Sequence, residues 1–160
     1  MNPVDVLKYG HLTFLNALSG VPRAEWETPG VCGVWSVKNI VAHLASYELV
    51  LIDILGGFLE AGPMPYLDRY RAGQAFNDAE VDARRSLNAG ETLAEYNDAQ
   101  ARVMSLIPRI SEDVVRRPGT LPWYGEEYAL DDFICYQYYG HKREHSAQVN
   151  VFRDELNRRA

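Results

Sequence analysis

Four long stretches of this chain repeat their apolar residues at helical spacing, and strand-like alternation is scarce, so the layers open to it are helices packed on helices. The first stretch runs from about Pro3 to Leu18, with Asn2 placed to cap it and Pro3 suited to the first helical position. Val4, Leu7, His11, Leu15 and Leu18 recur along it, and Gly20 is its stop. The second starts at Trp35-Ser36, with Ser36 as N-cap, and continues to about Leu59. Its wide apolar stripe holds Ile40, His43, Leu44, Tyr47, Val50, Leu51 and Ile54. Gly56-Gly57 are expected to fray its last turns, and the two prolines of Ala61-Gly-Pro-Met-Pro-Tyr to end it. The third spans Glu91 to Ile107, and the fourth runs from about Leu130 to Asn157, with Phe133, Ile134, Gln137, His141, His145, Gln148 and Phe152 on one broad face.

The connections differ in length. Val21 to Gly33 reads as a loop. A long irregular segment through Arg69, Tyr70 and Gly73 leads to a short helix, capped by Asn77 or Asp78, that runs through about Leu87. Ser111 to Glu127 reads as a connection with some extended character. These lengths predict an all-α four-helix bundle with long crossover connections, and 160 residues are enough for one domain, residues 1–160, with a real core.

A formal net charge of −6 argues against a nucleic-acid partner, which needs clustered lysine and arginine. Arg84-Arg85, Arg116-Arg117 and Arg158-Arg159 are short enough to be solvated helix ends. No run is expected to span a bilayer and no leader is visible, so a cytoplasmic protein with no membrane partner is the expectation. Cys32 and Cys135 form no disulfide framework or C-x2-C pair; Cys135, inside an apolar run, is expected to be buried.

The chemistry-bearing feature is a set of histidines. His141 and His145, four residues apart, lie one turn apart on the same face of a helix. Alone, this pair is a weak signal, and it reads more readily as two half-exposed histidines among charged neighbours than as metal ligands. His43 adds a third imidazole on an apolar stripe, where an unpaired ring is costly. Gln137 and Gln148 share the face of His141 and His145, and polar groups on a buried face need partners, which a metal and its water can supply. Three imidazoles would leave a coordination position open, the pattern of catalytic rather than structural sites. The competing reading is a satisfied core histidine at 43. His11 is a fourth candidate by composition, with a core or surface histidine as its alternative.

The segment Trp35-Ser-Val-Lys-Asn-Ile-Val-Ala-His43-Leu-Ala-Ser-Tyr-Glu resembles the second helix of the DinB-like (DinB/YfiT) superfamily, with its tryptophan-led cap and Ala-His-Leu core. Tyr139-Gly-His141-Lys-Arg-Glu-His145-Ser-Ala-Gln148-Val resembles that family's last helix, and Phe76-Asn77-Asp78 its middle segment. The resemblance implies an up-down-down-up four-helix bundle and a divalent ion, usually zinc or nickel, held by His43, His141 and His145. It also implies a homodimer. Characterised relatives include transferases that use a low-molecular-weight thiol such as bacillithiol or mycothiol against small electrophiles, and a branch that isomerises maleylpyruvate with mycothiol. Another branch opens a genotoxin's cyclopropane with water and need not keep the metal triad.

The expected activity is therefore attack of a metal-activated thiol or water on a small electrophilic substrate, of thiol S-transferase or hydrolase type. The alternative is a metal-free small-molecule binding or protective protein of the same fold; a third reading is a metal-stabilised structural bundle. By helical phase Tyr47, Glu48, Gln137 and Gln148 are candidates to orient the imidazoles or the substrate. Arg69 and Arg71 are candidates to reach over the site from the long connection, and Trp123 and Tyr124 to wall a pocket; each has a bland alternative as a core or solvated side chain.

Overall fold

The computed structural model describes residues 2–159. Its helices are Pro3–Ser19 (α1), Val37–Leu59 (α2), Pro65–Arg71 (α3), Phe76–Ala83 (α4), Ala89–Leu106 (α5), Glu112–Arg116 (α6), Leu130–Ile134 (α7) and His141–Arg159 (α8), and a two-stranded hairpin, Pro29–Cys32 (β1) with Trp35–Ser36 (β2), precedes α2. A π-helical turn, Cys135–Gly140, joins α7 to α8, so the fourth bundle helix is one long rod with a wide turn in it.

The directions of the bundle helices follow from which residues share a core. One cluster joins Leu7 of α1, Val50, Leu51 and Leu55 of α2, Val103 of α5, and Phe133, Ile134 and Tyr138. The other joins Phe14 and Leu18 of α1, Val37, Ile40, Val41 and Leu44 of α2, Tyr96 of α5, and Val149 and Phe152 of α8. Each helix therefore runs from one cluster to the other: α1 and α8 in one sense, α2 and α5 in the opposite one. That is the up-down-down-up order, and the parallel α2–α5 pair requires the long crossover that α3 and α4 occupy.

Several starts are set by local chemistry. Asn2 accepts from the Val4 amide, with Pro3 at the first helical position of α1. Ser36 Oγ accepts from the Asn39 amide at 3.3 Å, and Asn39 Oδ1 accepts from the Ser36 amide at 3.0 Å, a capping box at the head of α2. Ser36→Ala is expected to lower stability by about 1 kcal/mol in urea unfolding, the usual cost of a lost N-cap.

The structure corrects several expectations. The loop ahead of α2 contains the β1–β2 hairpin, turned at Gly33 with φ +58, a left-handed conformation glycine adopts freely. The irregular connection through Arg69 and Tyr70 is helix α3: Asp53 of α2 accepts from the Tyr66 and Leu67 amides at 2.7 and 3.1 Å, a cap supplied by another helix. Neither Asn77 nor Asp78 caps α4, which starts earlier, at Phe76. The third bundle helix starts at Ala89, on an Asn88–Glu91 capping box. The end of α2 at Leu59 is as expected, and the helix holds through Gly56-Gly57 without fraying. The segment 111–127 is turns and the short α6, not strand. Cys135 is half-buried.

By length and composition α2 does reach the size of a membrane span, contrary to expectation, but 78% of its most apolar window is buried by the other helices. Its apolarity is that of a core helix.

Candidate metal centre

His43, His141 and His145 converge at the point where α2 meets α8. Their ligand-capable nitrogens lie within 4.8 Å of one another. His43 Nε2 is 3.0 Å from His141 Nε2, which is 2.9 Å from His145 Nε2. His43 and His145 are buried and His141 half-buried.

All three rings are held neutral. Burial, and then repulsion from His141 and His145, lowers the His43 pKa to about 2. Burial lowers His141 to about 4, with His145 adding to the drop and the Gln137 backbone carbonyl opposing it. His145 is lowered by burial, against a hydrogen bond to Gln148 and the charge of Glu144.

The protons cannot satisfy this arrangement. His145 Nδ1 lies 2.8 Å from Gln148 Oε1; a carbonyl oxygen only accepts, so Nδ1 carries the proton and Nε2 turns its lone pair into the cluster. A proton on His141 Nε2 can be directed at His145 or at His43, not both; without it, two lone pairs face each other at 2.9 Å. The Nδ1 of His43 is buried with no partner. Three neutral nitrogen donors with converging lone pairs are a donor set that fits a divalent cation such as zinc or nickel.

These pKa values carry a pH dependence. In the unfolded chain the histidines titrate near 6.5; in the fold they resist protonation to about 4 or lower for His43 and His141. Between those values the unfolded state binds more protons, so stability falls as pH falls. Urea unfolding of the metal-depleted protein is expected to be insensitive to these groups above about pH 7 and to weaken from about pH 6.5 towards 4. His11, lowered to about 4 by burial and by Lys142, adds to the same trend. An unchanged midpoint between pH 7 and 5 would contradict the assigned burial.

Around the histidines the rings of Trp35 and Tyr47 pack on His43 at 5.0 and 4.8 Å, and Tyr47 also lies 4.7 Å from His141. The hairpin delivers Trp35, which sequence reasoning treated only as part of a cap. The Tyr47 hydroxyl donates to Asn77 Oδ1 at 3.3 Å, and burial, with Tyr70 adding, raises its pKa to about 12, so it is a neutral donor. Of the two glutamines, Gln148 bonds His145 through its side chain, whereas Gln137 lies near His141 only through its backbone, which opposes the fall of the His141 pKa without giving Nδ1 a hydrogen bond.

The arginines divide. Arg69 is engaged by Glu80 at 2.7 Å and stacks on Tyr66, in a chain of ion pairs that continues from Glu80 to Arg84 and on to Glu95 and braces the crossover on α5. Arg71 instead lies over Trp123, 5.7 Å from the ring centre. Glu48 is not among the histidines' hydrogen-bond partners; it is buried against Lys142 at 2.5 Å. His11 lies apart from the cluster on α1, 5.0 Å from the Tyr96 ring.

Fold and cluster together define a helical bundle protein with a three-histidine centre between its second and last helices. The DinB superfamily model matches residues 11–149, and the chain belongs to that superfamily. A solved structure of a mutant mycothiol-dependent maleylpyruvate isomerase superposes with a TM-score of 0.71 at 16% identity, covering 92% of this chain. The match spans 59% of that protein's chain. No curated protein matches the sequence.

Proposed function

We propose that His43, His141 and His145 hold one divalent metal ion, zinc or nickel, and that the protein uses it as a thiol S-transferase or hydrolase acting on a small electrophile. The observation that carries this reading is the convergence of three neutral imidazole nitrogens within 4.8 Å, which protons alone leave unsatisfied. A divalent ion there would lower the pKa of a bound thiol or water and so make thiolate or hydroxide available near neutral pH. Gln148 keeps the His145 lone pair on the cluster. Tyr47 keeps its phenol protonated beside His141, and by turning its O–H away from Asn77 it can donate to a substrate oxygen and orient it. The dependence of the structural neighbour on mycothiol supports a low-molecular-weight thiol as cosubstrate. In this reading residues 1–160 act as one domain, as a cytoplasmic homodimer, on a small molecule and without nucleic acid or membrane.

Elemental mass spectrometry of the untagged protein is expected to find about one transition-metal ion per chain, and none in the His141→Ala/His145→Ala double variant. The loaded protein should then consume thiol in the presence of electrophiles such as chloroarenes or epoxides. A folded protein that takes up no metal on reconstitution would remove this mechanism and leave the metal-free binding role.

A further inference from the structure

Two tyrosine rings away from the histidine cluster lies an open cavity of about 530 Å³ lined by Tyr70, Arg71, Trp123 and Tyr124. It forms where the end of α3 faces the connection that precedes α7. Its walls are anchored: Trp123 and Tyr124 both pack on the core residue Phe133, at 5.5 and 4.9 Å between ring centres. Tyr70 stands on the side towards the centre, with its ring 6.1 Å from Trp123 and 5.6 Å from Tyr47, which in turn lies on His141. A molecule in this cavity is thus separated from the histidines by two tyrosine rings.

Its charge distinguishes this cavity from its larger neighbour. The space between Tyr66, Arg69, Glu80, Arg84 and Glu95 has its guanidinium groups neutralised by carboxylates. Among the described residues no acidic side chain lines the Arg71 cavity, and Arg71 makes no ion pair. The face of Trp123 holds the guanidinium at 5.7 Å by cation–π attraction and leaves its N–H donors for a ligand. A planar fork of N–H groups matches a carboxylate with two parallel hydrogen bonds, and three aromatic walls match a flat apolar body. The volume lies in the ordinary range for small-molecule sites.

We propose that this cavity is a subsite for a carboxylate carried on a flat aromatic body, the non-reacting end of the substrate, with Arg71 and Trp123 as its specificity-determining residues. The inference rests on the histidine cluster being the reaction centre only for the direction in which the substrate points; the binding site itself stands without it.

The probe is trans-cinnamate, followed by quenching of tryptophan fluorescence, against cinnamyl alcohol, which keeps the flat body and lacks the charge. Cinnamate is expected to bind saturably, and the alcohol at least about tenfold more weakly, the factor expected of a charge-assisted bidentate contact. Arg71→Gln should lose the same factor for cinnamate. Arg23→Gln, which removes a guanidinium stacked on Trp26 and outside the lining of this cavity, should leave cinnamate affinity unchanged. Equal binding of acid and alcohol, full affinity in Arg71→Gln, or no saturable binding at millimolar probe would each overturn the subsite. His43→Ala should keep cinnamate affinity while losing metal. A wild-type chain that binds cinnamate but no metal overturns the reaction centre and not the subsite; one that binds metal but no cinnamate overturns the subsite alone.

Discussion

Replacing Lys142 with methionine is expected to lower the stability of this protein by about 3–5 kcal/mol, because it strands a charge in the middle of the bundle. The Lys142 side chain is 2% exposed and the Glu48 carboxylate 0%. Their contact ties α8 to α2, and the same ammonium donates to Gln100 Oε1 at 2.9 Å, which ties in α5. Burial raises the Glu48 pKa, and the ammonium of Lys142 works against that rise. Methionine fills a similar volume but leaves that acid without its partner. Such a loss is a large fraction of the 5–15 kcal/mol or so that a typical domain has. In Lys142→Met/Glu48→Leu no charge is left behind, and most of the loss should be recovered, since an apolar pair of similar size often matches a buried ion pair. Urea unfolding monitored by circular dichroism reads both variants. A single variant within about 1 kcal/mol of the parent would mean the interior is wetter than its packing indicates.

What could be read from the sequence divides by the range of the interaction. The Ser36 cap and the Asn2-Pro3 start are local, and both appear in the structure as the residues indicate. The meeting of His43, His141 and His145 was also legible. The last two share a face by spacing alone, and His43 sits on a stripe that had to be buried somewhere. The Asn88–Glu91 box is a local signal too, although apolar spacing alone starts that helix late. Helix α3 is different, because its cap comes from Asp53 on α2, well before it in the chain. The π-turn at Cys135–Gly140 has no local signature; it lies against Gly10 of α1, where a side chain would come within 3.3 Å of the Tyr139 ring. Nothing local marks the Lys142–Glu48 pair: helical phase offers Glu48 as a partner for the imidazoles, and only the packing of three helices pairs it with Lys142 instead.

His43→Ala is expected to abolish stoichiometric metal while the bundle stays folded, and Gln148→Leu to weaken metal binding by about 10–100-fold. The two differ because they act at different distances from the ion. Among the described residues His43 is the donor that α2 brings to the cluster. Without it, the remaining pair on one turn of α8 is a surface-like chelate of two imidazoles, and dialysis should strip the ion. The fold is expected to tolerate the change because the lost ring packs on Trp35, Tyr47 and the other two histidines, which line the centre. Removing it also removes a polar nitrogen, Nδ1, that has no partner. Gln148→Leu keeps all three donors and frees the His145 ring to flip or to place its proton on Nε2, so affinity falls without stoichiometry being lost at saturating metal. Zinc titration against a competing chelator separates the cases: no tight site in His43→Ala, and one weaker site per chain in Gln148→Leu. A His43→Ala protein that retained one tight ion per chain would show that the donors lie elsewhere. Unchanged affinity in Gln148→Leu would show that packing alone orients His145.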